Sequence, residues 1–410
     1  MGKTIHDIAL EIGSGLTPLR SNDQYWSSRD FPWVKTEQLG AYHIFDANEY
    51  VSETALRETS IKVWPAKTVS IAMYGEGKTR GNSSILMIPS TTNQACCNIV
   101  ADPQKADYRF LYYWLKNNYE QLRSLAAGVR KNLNADDIKG FPFPDFEVGY
   151  QSRIADALSA VDDLIENNSK LCKSLEVMAK TLYDYWFTQF DFPNAEGKPY
   201  CTSGGAMEWS QQLKSEIPKG WEVGNLYKIA DYINGLACQK YRPKAREESL
   251  PVIKITEMHS GITNKTEAVS ENIPDKYKIE DGDILFSWSA SLEIMYWFGG
   301  KGGLNQHIFK VVPKDGFPKE YVYQQLLAYI INFIKIAEAR KTTMGHITTD
   351  HLDQSRIVIP PRPVLERFSE IISPIHEMIG KYQQQNQELS KLRDWLLPML
   401  MNGQAIVEQG

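Results

Sequence analysis

Counting from Ile154, apolar or small residues return at alternating intervals of four and three: Leu158, Val161, Ile165, Cys172, Leu175, Ala179, Leu182 and Trp186, with Asn168 as the polar member of the series. A repeat of this kind marks a helix stripe that buries against another helix. The same intervals start again about 214 residues later, as Phe368, Ile372, Ile375, Ile379, Tyr382, Asn386, Leu389, Arg393, Leu396 and Leu400. Each stretch predicts a helix of about 55 Å at 1.5 Å per residue. An amphipathic helix that long cannot bury its stripe inside a small domain. The two are therefore expected to pair with one another, Asn168 and Asn386 setting the register.

The offset extends beyond the helices. "IALEIGSGLTP" is answered by "IADYINGLACQ", "PWVKTEQL" by "PVIKITEM", "TTNQACCNIV" by "GLNQHIFKVV" and "NADDIKGFPFP" by "TTDHLDQSRIVIP". A period this long means duplicated domains and excludes a solenoid. Within each copy, short apolar runs such as "KTVSIAMYG", "SSILMIP", "DGDILFSWS" and "HIFKVVP" alternate with turn residues, which predicts a mostly β body. One helix follows near its end, "DYRFLYYWLKNNYEQLRSLAAG" in the first copy and "KEYVYQQLLAYIINFIKIAEAR" in the second. The expected organisation is α+β: a recognition domain at 1–149, a long helix at 150–190, an irregular linker at 191–220 carrying Pro193, Pro199 and Pro218, a second domain at 221–363, a second long helix at 364–402 and a tail at 403–410.

Composition narrows the class. The chain has 410 residues, 42% hydrophobic and 23% charged, with no apolar run of membrane-spanning length. Five cysteines (Cys96, Cys97, Cys172, Cys201, Cys238) form no CxxC pair, which argues against a zinc site or a disulfide framework. With no signal-peptide pattern at the start, the cytoplasm is the expected compartment. The stretch "AMYGEGKTRG" fits a relaxed phosphate-binding loop through Gly77-Lys78-Thr79. Such a loop needs a helix directly after it, whereas Gly81, Asn82 and "SSILMIP" predict a second strand. The stretch therefore reads as a turn between strands with Lys78 and Arg80 at its tip. Asp191, Glu196 and Lys198 only loosely resemble a nuclease strand, and His346 and His351 read as structural or capping residues. No catalytic constellation and no metal site is expected.

The phrases "AAGVRKNLNADDIKGFPFP", "TMGHITTDHLDQSRIVIPPRPVLERF", "LYDYWFTQFDFP", "EIPKGWEV" and "LRDWLLPMLMNGQ", together with the repeat, resemble the specificity subunit of type I restriction-modification enzymes over nearly the whole chain. The resemblance implies a pseudo-twofold molecule. Its helices pair antiparallel as a ruler, and its two target recognition domains each read one half of a split, asymmetric sequence in double-stranded DNA. It further implies two methyltransferase subunits, which methylate adenine at N6 with S-adenosylmethionine, and restriction subunits that use ATP and Mg²⁺. This chain would carry no cofactor, have no contact with a membrane and perform no chemistry. A targeting subunit for a methylation-only system is the alternative, and a nucleotide-binding enzyme built on Gly77-Lys78-Thr79 is the reading from another class.

Net charge is −5, low for a protein that binds phosphates by itself, so firm DNA binding is expected only once partner subunits complete the complex. Local cations and aromatics are the candidates for DNA contact. In the first copy these are Arg20, Tyr25, Trp26, Arg29, Lys78, Arg80, Arg130 and Lys131; in the second, Arg242, Lys244, Arg246, Trp288, Lys301 and Lys341. Tyr183, Tyr185, Trp186, Phe187 and Trp395, near the helix ends, exceed what a coiled coil needs, and some of them, with Tyr185, Trp186, Phe187 and Trp395 the candidates, are expected to dock the methyltransferase subunits.

Overall fold

The computed structural model describes residues 2–75, 77, 79–126, 132–289, 291–339, 347 and 349–405. The chain forms two compact units, Met1–Glu166 with Glu388–Gly410, and Asn167–Gln387. Each unit therefore contains part of both long helices.

The first unit holds strands β1 (Ala9–Ser14), β2 (Phe31–Val34), β3 (His43–Ile44), β4 (Glu49–Val51), β5 (Thr68–Ala72), β6 (Ser83–Leu86), β7 (Thr91–Thr92) and β8 (Cys96–Ala101). They form a five-stranded sheet, β1–β8–β5–β6–β3, and a three-stranded sheet, β4–β2–β7. Every residue of β5 and β6 is buried, as expected of strands covered on both faces. The helix Tyr108–Asn117 buries Phe110, Leu111, Tyr112, Tyr113 and Leu115 in the same core, and the Asp107 side chain caps its first turn. Burial pushes the Cys96 and Cys97 thiols up to about 12, so neither is a thiolate near neutral pH.

The second unit continues with β9 (Met207–Ser210), β10 (Ser215–Pro218), β11 (Glu222–Gly224), β12 (Ala230–Asn234), β13 (Ser249–Ile253), β14 (Ala268–Ser270) and β15 (Lys278–Ile279). It ends with β16 (Ile284–Ser287), β17 (Glu293–Tyr296), β18 (Gly302–Leu304), β19 (Ile308–Pro313) and β20 (Ile357–Ile359). Its sheet β12–β19–β16–β17 repeats β1–β8–β5–β6, and β14–β13–β18 repeats β4–β2–β7. The agreement reaches strand direction, since β2 pairs parallel with β7 and β13 parallel with β18. The copies differ at one edge: β3 lies parallel to β6, whereas β15 joins β18 in the other sheet. Residues 207–218, expected to be irregular, form the antiparallel hairpin β9–β10.

The first long helix runs Val148–Tyr183 and the second Arg362–Met401. No residue of either predicted stripe is exposed. In the first unit, Ile154 and Leu158 pack in one core with Leu397, Leu400 and Met401. In the second, Cys172 and Ala179 pack with Phe368, Ile372, Ile375 and Ile379. Asn168 donates to the Asn386 side-chain oxygen at 2.9 Å and to Gln385 at 3.0 Å, and Asn386 donates to Ser169 at 3.1 Å. Position rises along one helix as it falls along the other, so within each unit the pair is antiparallel.

A charged layer distinguishes the copies. In the first unit, Asp162, 3% exposed, accepts from Arg393 at 2.7 Å and from the Tyr113 hydroxyl at 2.8 Å. Its counterpart along the stripe is His376, which meets Gln324 at 3.2 Å where Tyr113 would stand. Ala179 occupies the place of Arg393, and a cavity of about 500 Å³ lined by Glu176, Tyr183, Tyr296, Tyr323 and His376 lies beside it. Burial pulls His376 down to about 4, against a minor opposite pull from Glu320.

One glycine in each copy lets two chain segments cross. A Cβ on Gly15 would lie 2.1 Å from the Thr92 carbonyl oxygen, and one on Gly235 would lie 2.1 Å from that of Asn305. Both glycines donate to the partner strand, to Cys96 at 3.2 Å and Ile308 at 3.0 Å.

Gly15→Ala and Gly235→Ala are each expected to destabilise the full chain by about 3 kcal/mol in denaturant titration, while Gly2→Ala, with open space around it, stays within about 0.5 kcal/mol. Because His376 is harder to protonate folded than unfolded, its contribution to stability is whole above about pH 6.5 and declines as pH falls toward 4. Between pH 7 and pH 5 the wild type is expected to lose about 2 kcal/mol more than His376→Gln, measured as the difference between their denaturation curves at the two pH values.

Candidate nucleic-acid interface

The connection that follows the Gly15 crossing runs from β1 to β2, and the one that follows Gly235 runs from β12 to β13. These are topologically equivalent, and half of the candidate contact residues lie on them. In the first unit, Arg20, Tyr25, Trp26 and Arg29 come together beside β2 and β4. The Arg20 guanidinium lies 3.8 Å from the Trp26 ring centre and 4.6 Å from that of Trp33, the two indoles meeting edge to face at 5.0 Å. Arg29 lies 4.1 Å over Tyr50, whose hydroxyl bonds to Asp46. Tyr25 donates to Glu58 at 3.1 Å.

This patch is largely neutralised from within. Glu49 pairs with Arg20 and, at 2.7 Å, with Lys35, and these two cations hold its carboxyl below the usual range, Arg20 first. Lys35 is raised in turn by Glu37 and then Glu49. The first domain thus presents half-buried rings and a stacked guanidinium more than free charge, an arrangement suited to apolar and π contacts as well as hydrogen bonding.

In the second unit the equivalent connection carries Arg242, Lys244 and Arg246, all exposed. Trp288 sits at the end of β16, donates to Asn234 at 3.0 Å and packs against His307 and Phe309. Lys301 is exposed beside a cleft that also holds Glu271, Asp275 and Glu280. Lys78, Arg130, Lys131 and Lys341 lie outside the described residues, as does His346. Two acidic residues that a search for cations passes over also shape these patches, Glu49 and Glu247. For Glu247 the Lys-x-x-Glu spacing to Lys244 was the available signal, since a side chain three residues on can accept the backbone N–H.

The residues around Gly77 join β5 to β6, which pair antiparallel. Gly81 donates to Ala72 at 2.8 Å and Asn82 to Thr79 at 3.1 Å, closing the connection directly into β6. Arg123 fastens it from outside, donating to the Gly77 carbonyl at 2.8 Å. With a strand where the phosphate-facing helix would start, this turn has no phosphate-loop geometry. Asp191 also serves structure: it accepts from the Thr202 amide at 2.7 Å and hydroxyl at 2.6 Å. His351 is buried. Among the described residues, His43, Asp163 and Glu166 place ligating atoms within 4.8 Å of one another. His43 is already bonded to Glu166 at 2.9 Å and stacked on Tyr42 at 3.8 Å, the contacts of a packing residue.

The aromatic group at the helix ends divides. Trp395 is 60% exposed and Tyr185 37%. Trp186 and Phe187, expected at a partner surface, are instead core. Phe187 lies 4.8 Å from Phe368 and 5.2 Å from Tyr321, and Trp186 lies 5.6 Å from Phe368. The helix passes through a single wider turn at Asp184–Thr188, which brings these rings and Tyr183 under the second domain. They are unavailable to another chain.

The family model for the type I restriction modification DNA specificity domain matches residues 2–177 and 218–391. The chain belongs to the type I restriction-modification specificity family. It carries the DNA specificity domain twice, and its part in such a system is target recognition, without catalysis. It is 28% identical to the type I restriction enzyme MjaIX specificity subunit of Methanocaldococcus jannaschii over 99% of this chain and 94% of that one. Identity to the HindI specificity subunit of Haemophilus influenzae is 22%, covering 72% of this chain and 77% of that one. The crystal structure of a type I S subunit from M. genitalium shares the fold, with a TM-score of 0.55 and 16% identity over 98% of this chain and 95% of that one. No helix among the described residues is long and apolar enough to cross a membrane.

Glu49 offers a direct test of the first-domain patch. In Glu49→Gln, Arg20 and Lys35 lose their shared counter-charge. The slope of log affinity for DNA against log salt is expected to steepen by about 0.9 per phosphate gained. An unchanged slope in equilibrium titrations across salt concentrations would show that these cations do not face phosphate.

Proposed function

We propose that the two β-rich domains each read one half of a split, asymmetric DNA site, while the paired helices set the unread interval between the halves. The observation that carries this reading is the pair of equivalent connections, β1–β2 and β12–β13. Each occupies the same place in its copy, and each bears a different chemistry: stacked, self-neutralised rings and guanidinium in one, three exposed cations in the other. Two readers with one scaffold and unlike side chains prefer unlike half-sites. Within the second unit, the Asn168–Asn386 layer fixes the register of the two helices.

The partners that fit are two methyltransferase subunits and the restriction subunits of a type I complex. S-adenosylmethionine belongs to the former, and ATP with Mg²⁺ to the latter. Adenine methylation requires the base to leave the duplex stack, a task for the methyltransferase. Exposed apolar residues along the helices, Leu164, Leu171, Val177, Met178, Ile371, Met378, Leu392 and Trp395, supply docking area for them. With a net charge of −5, the isolated chain holds DNA weakly and the assembled complex holds it firmly.

The test is a base-resolution map of N6-methyladenine in cells that carry the methyltransferase subunit, with and without this chain. One split motif with a fixed interval is expected only where the chain is present. Identical maps would refute the reading.

A further inference from the structure

The β12–β13 connection holds a conformation that its own residues do not favour. Arg246 has φ +68°, in the left-handed region that a residue with a Cβ seldom occupies without compensation. The compensation is the next side chain. One Glu247 oxygen accepts from the Lys244 amide at 2.7 Å; the other accepts from the Asn272 side chain at 2.8 Å and from the Ser270 hydroxyl. The backbone adds Glu247 to Lys244 at 3.0 Å, Ser270 to Tyr241 at 2.8 Å and Glu271 to Glu248 at 3.0 Å. The loop is thereby tied both to itself and to β14. Donation from the Lys244 amide, then Ser270 and Asn272, holds the Glu247 carboxyl down to about 2, so it is ionised throughout the physiological range.

The first domain is built differently. There, the acidic residue of the patch, Glu49, pairs with the cations. Here, Glu247 accepts from a backbone amide, a hydroxyl and a carboxamide, and among the described residues none of Arg242, Lys244 and Arg246 forms a salt bridge. Glu267 lies near Arg242 but is bonded to Lys254. Three exposed cations on one braced loop are presented with their charge intact and their backbone already ordered.

We infer that Glu247 is the positioning residue of the second domain's reading loop, fixing the turn that carries Arg242, Lys244 and Arg246 so that they meet DNA in one arrangement. This rests on the reading of that domain as a DNA reader. Glu247 itself touches no DNA. Its role is to remove the cost of ordering the backbone that carries these three side chains at the moment of binding, so that a floppy alternative would bind with less discrimination.

The experiment uses the full chain together with its methyltransferase subunit and the N6-methyladenine map. In wild type the split motif is read. In Glu247→Ala and in the milder Glu247→Gln, one half of the motif is expected to become degenerate, the same half that Arg246→Ala alters, while the other half and the interval stay as they were. Purified Glu247→Gln complex is expected to bind the cognate duplex about tenfold more weakly with an unchanged salt slope, since no phosphate contact is removed. If both halves keep full definition in both variants, or if both variants lose the whole motif, the positioning role is refuted. Absence of any split motif in wild type would instead refute the underlying reading of function.

Discussion

The pairing of two long helices is the contact on which the rest depends. Each helix follows a β-rich domain that cannot close its core alone, and the closing residues come from the other helix. Leu397, Leu400 and Met401 complete a core whose strands were laid down before residue 101, and Ala179 and Trp186 complete a core built mostly after residue 221. The stripe does more than associate two surfaces. Its polar layer, Asn168 with Asn386, Gln385 and Ser169, resists sliding because a shift by one heptad would bury amides without partners.

On this frame the two copies have diverged where divergence is cheap. The sheets keep their order and even the parallel pairing of β2 with β7 and of β13 with β18, and each crossing keeps its glycine because the neighbouring carbonyl leaves no room for a side chain. The connections after those crossings keep their position and a short 3-10 turn, but not their side-chain chemistry. Deeper in, Asp162 and Arg393 have become His376 and Ala179. A buried ion pair must be kept whole or replaced whole, since one partner alone is costly, and the second copy shows the replaced form: a neutral ring and an adjoining cavity.

The helices were legible because alternating intervals of three and four bring side chains back to one face only when the backbone is helical, and their ends lie within a few residues of the prolines and turn residues that bound them. The β content was legible from alternation, but not the pairing of β3 against β15, which depends on contacts far apart in the chain. The hairpin at Met207–Pro218 was hidden by the prolines and glycines of the stretch around it, Pro193, Gly197, Pro199, Gly204, Gly205 and Gly220, which are as frequent in linkers as in tight turns. Trp186 and Phe187 misled because aromatics beyond the need of a coiled coil suggest a surface, whereas the surplus served a core that the helix end reaches. Glu247 was invisible for a different reason: it is the wrong charge for a DNA contact, and its worth lies in a hydrogen-bond geometry that spacing only hints at.

The interleaving has a consequence for how the molecule is made. A chain emerging from the ribosome presents its first β-rich domain early, yet Leu397 and Leu400, which pack in that domain's core, are made long after Ile154 and Leu158. Until those leucines are made, the apolar face formed by Ile154 and Leu158 lacks its partners from the second long helix. The nascent domain must wait in a partly open state, dependent on chaperones or on fast completion. A truncation that removed Leu397, Leu400 and Met401 would therefore injure the first domain as much as the helix it shortened.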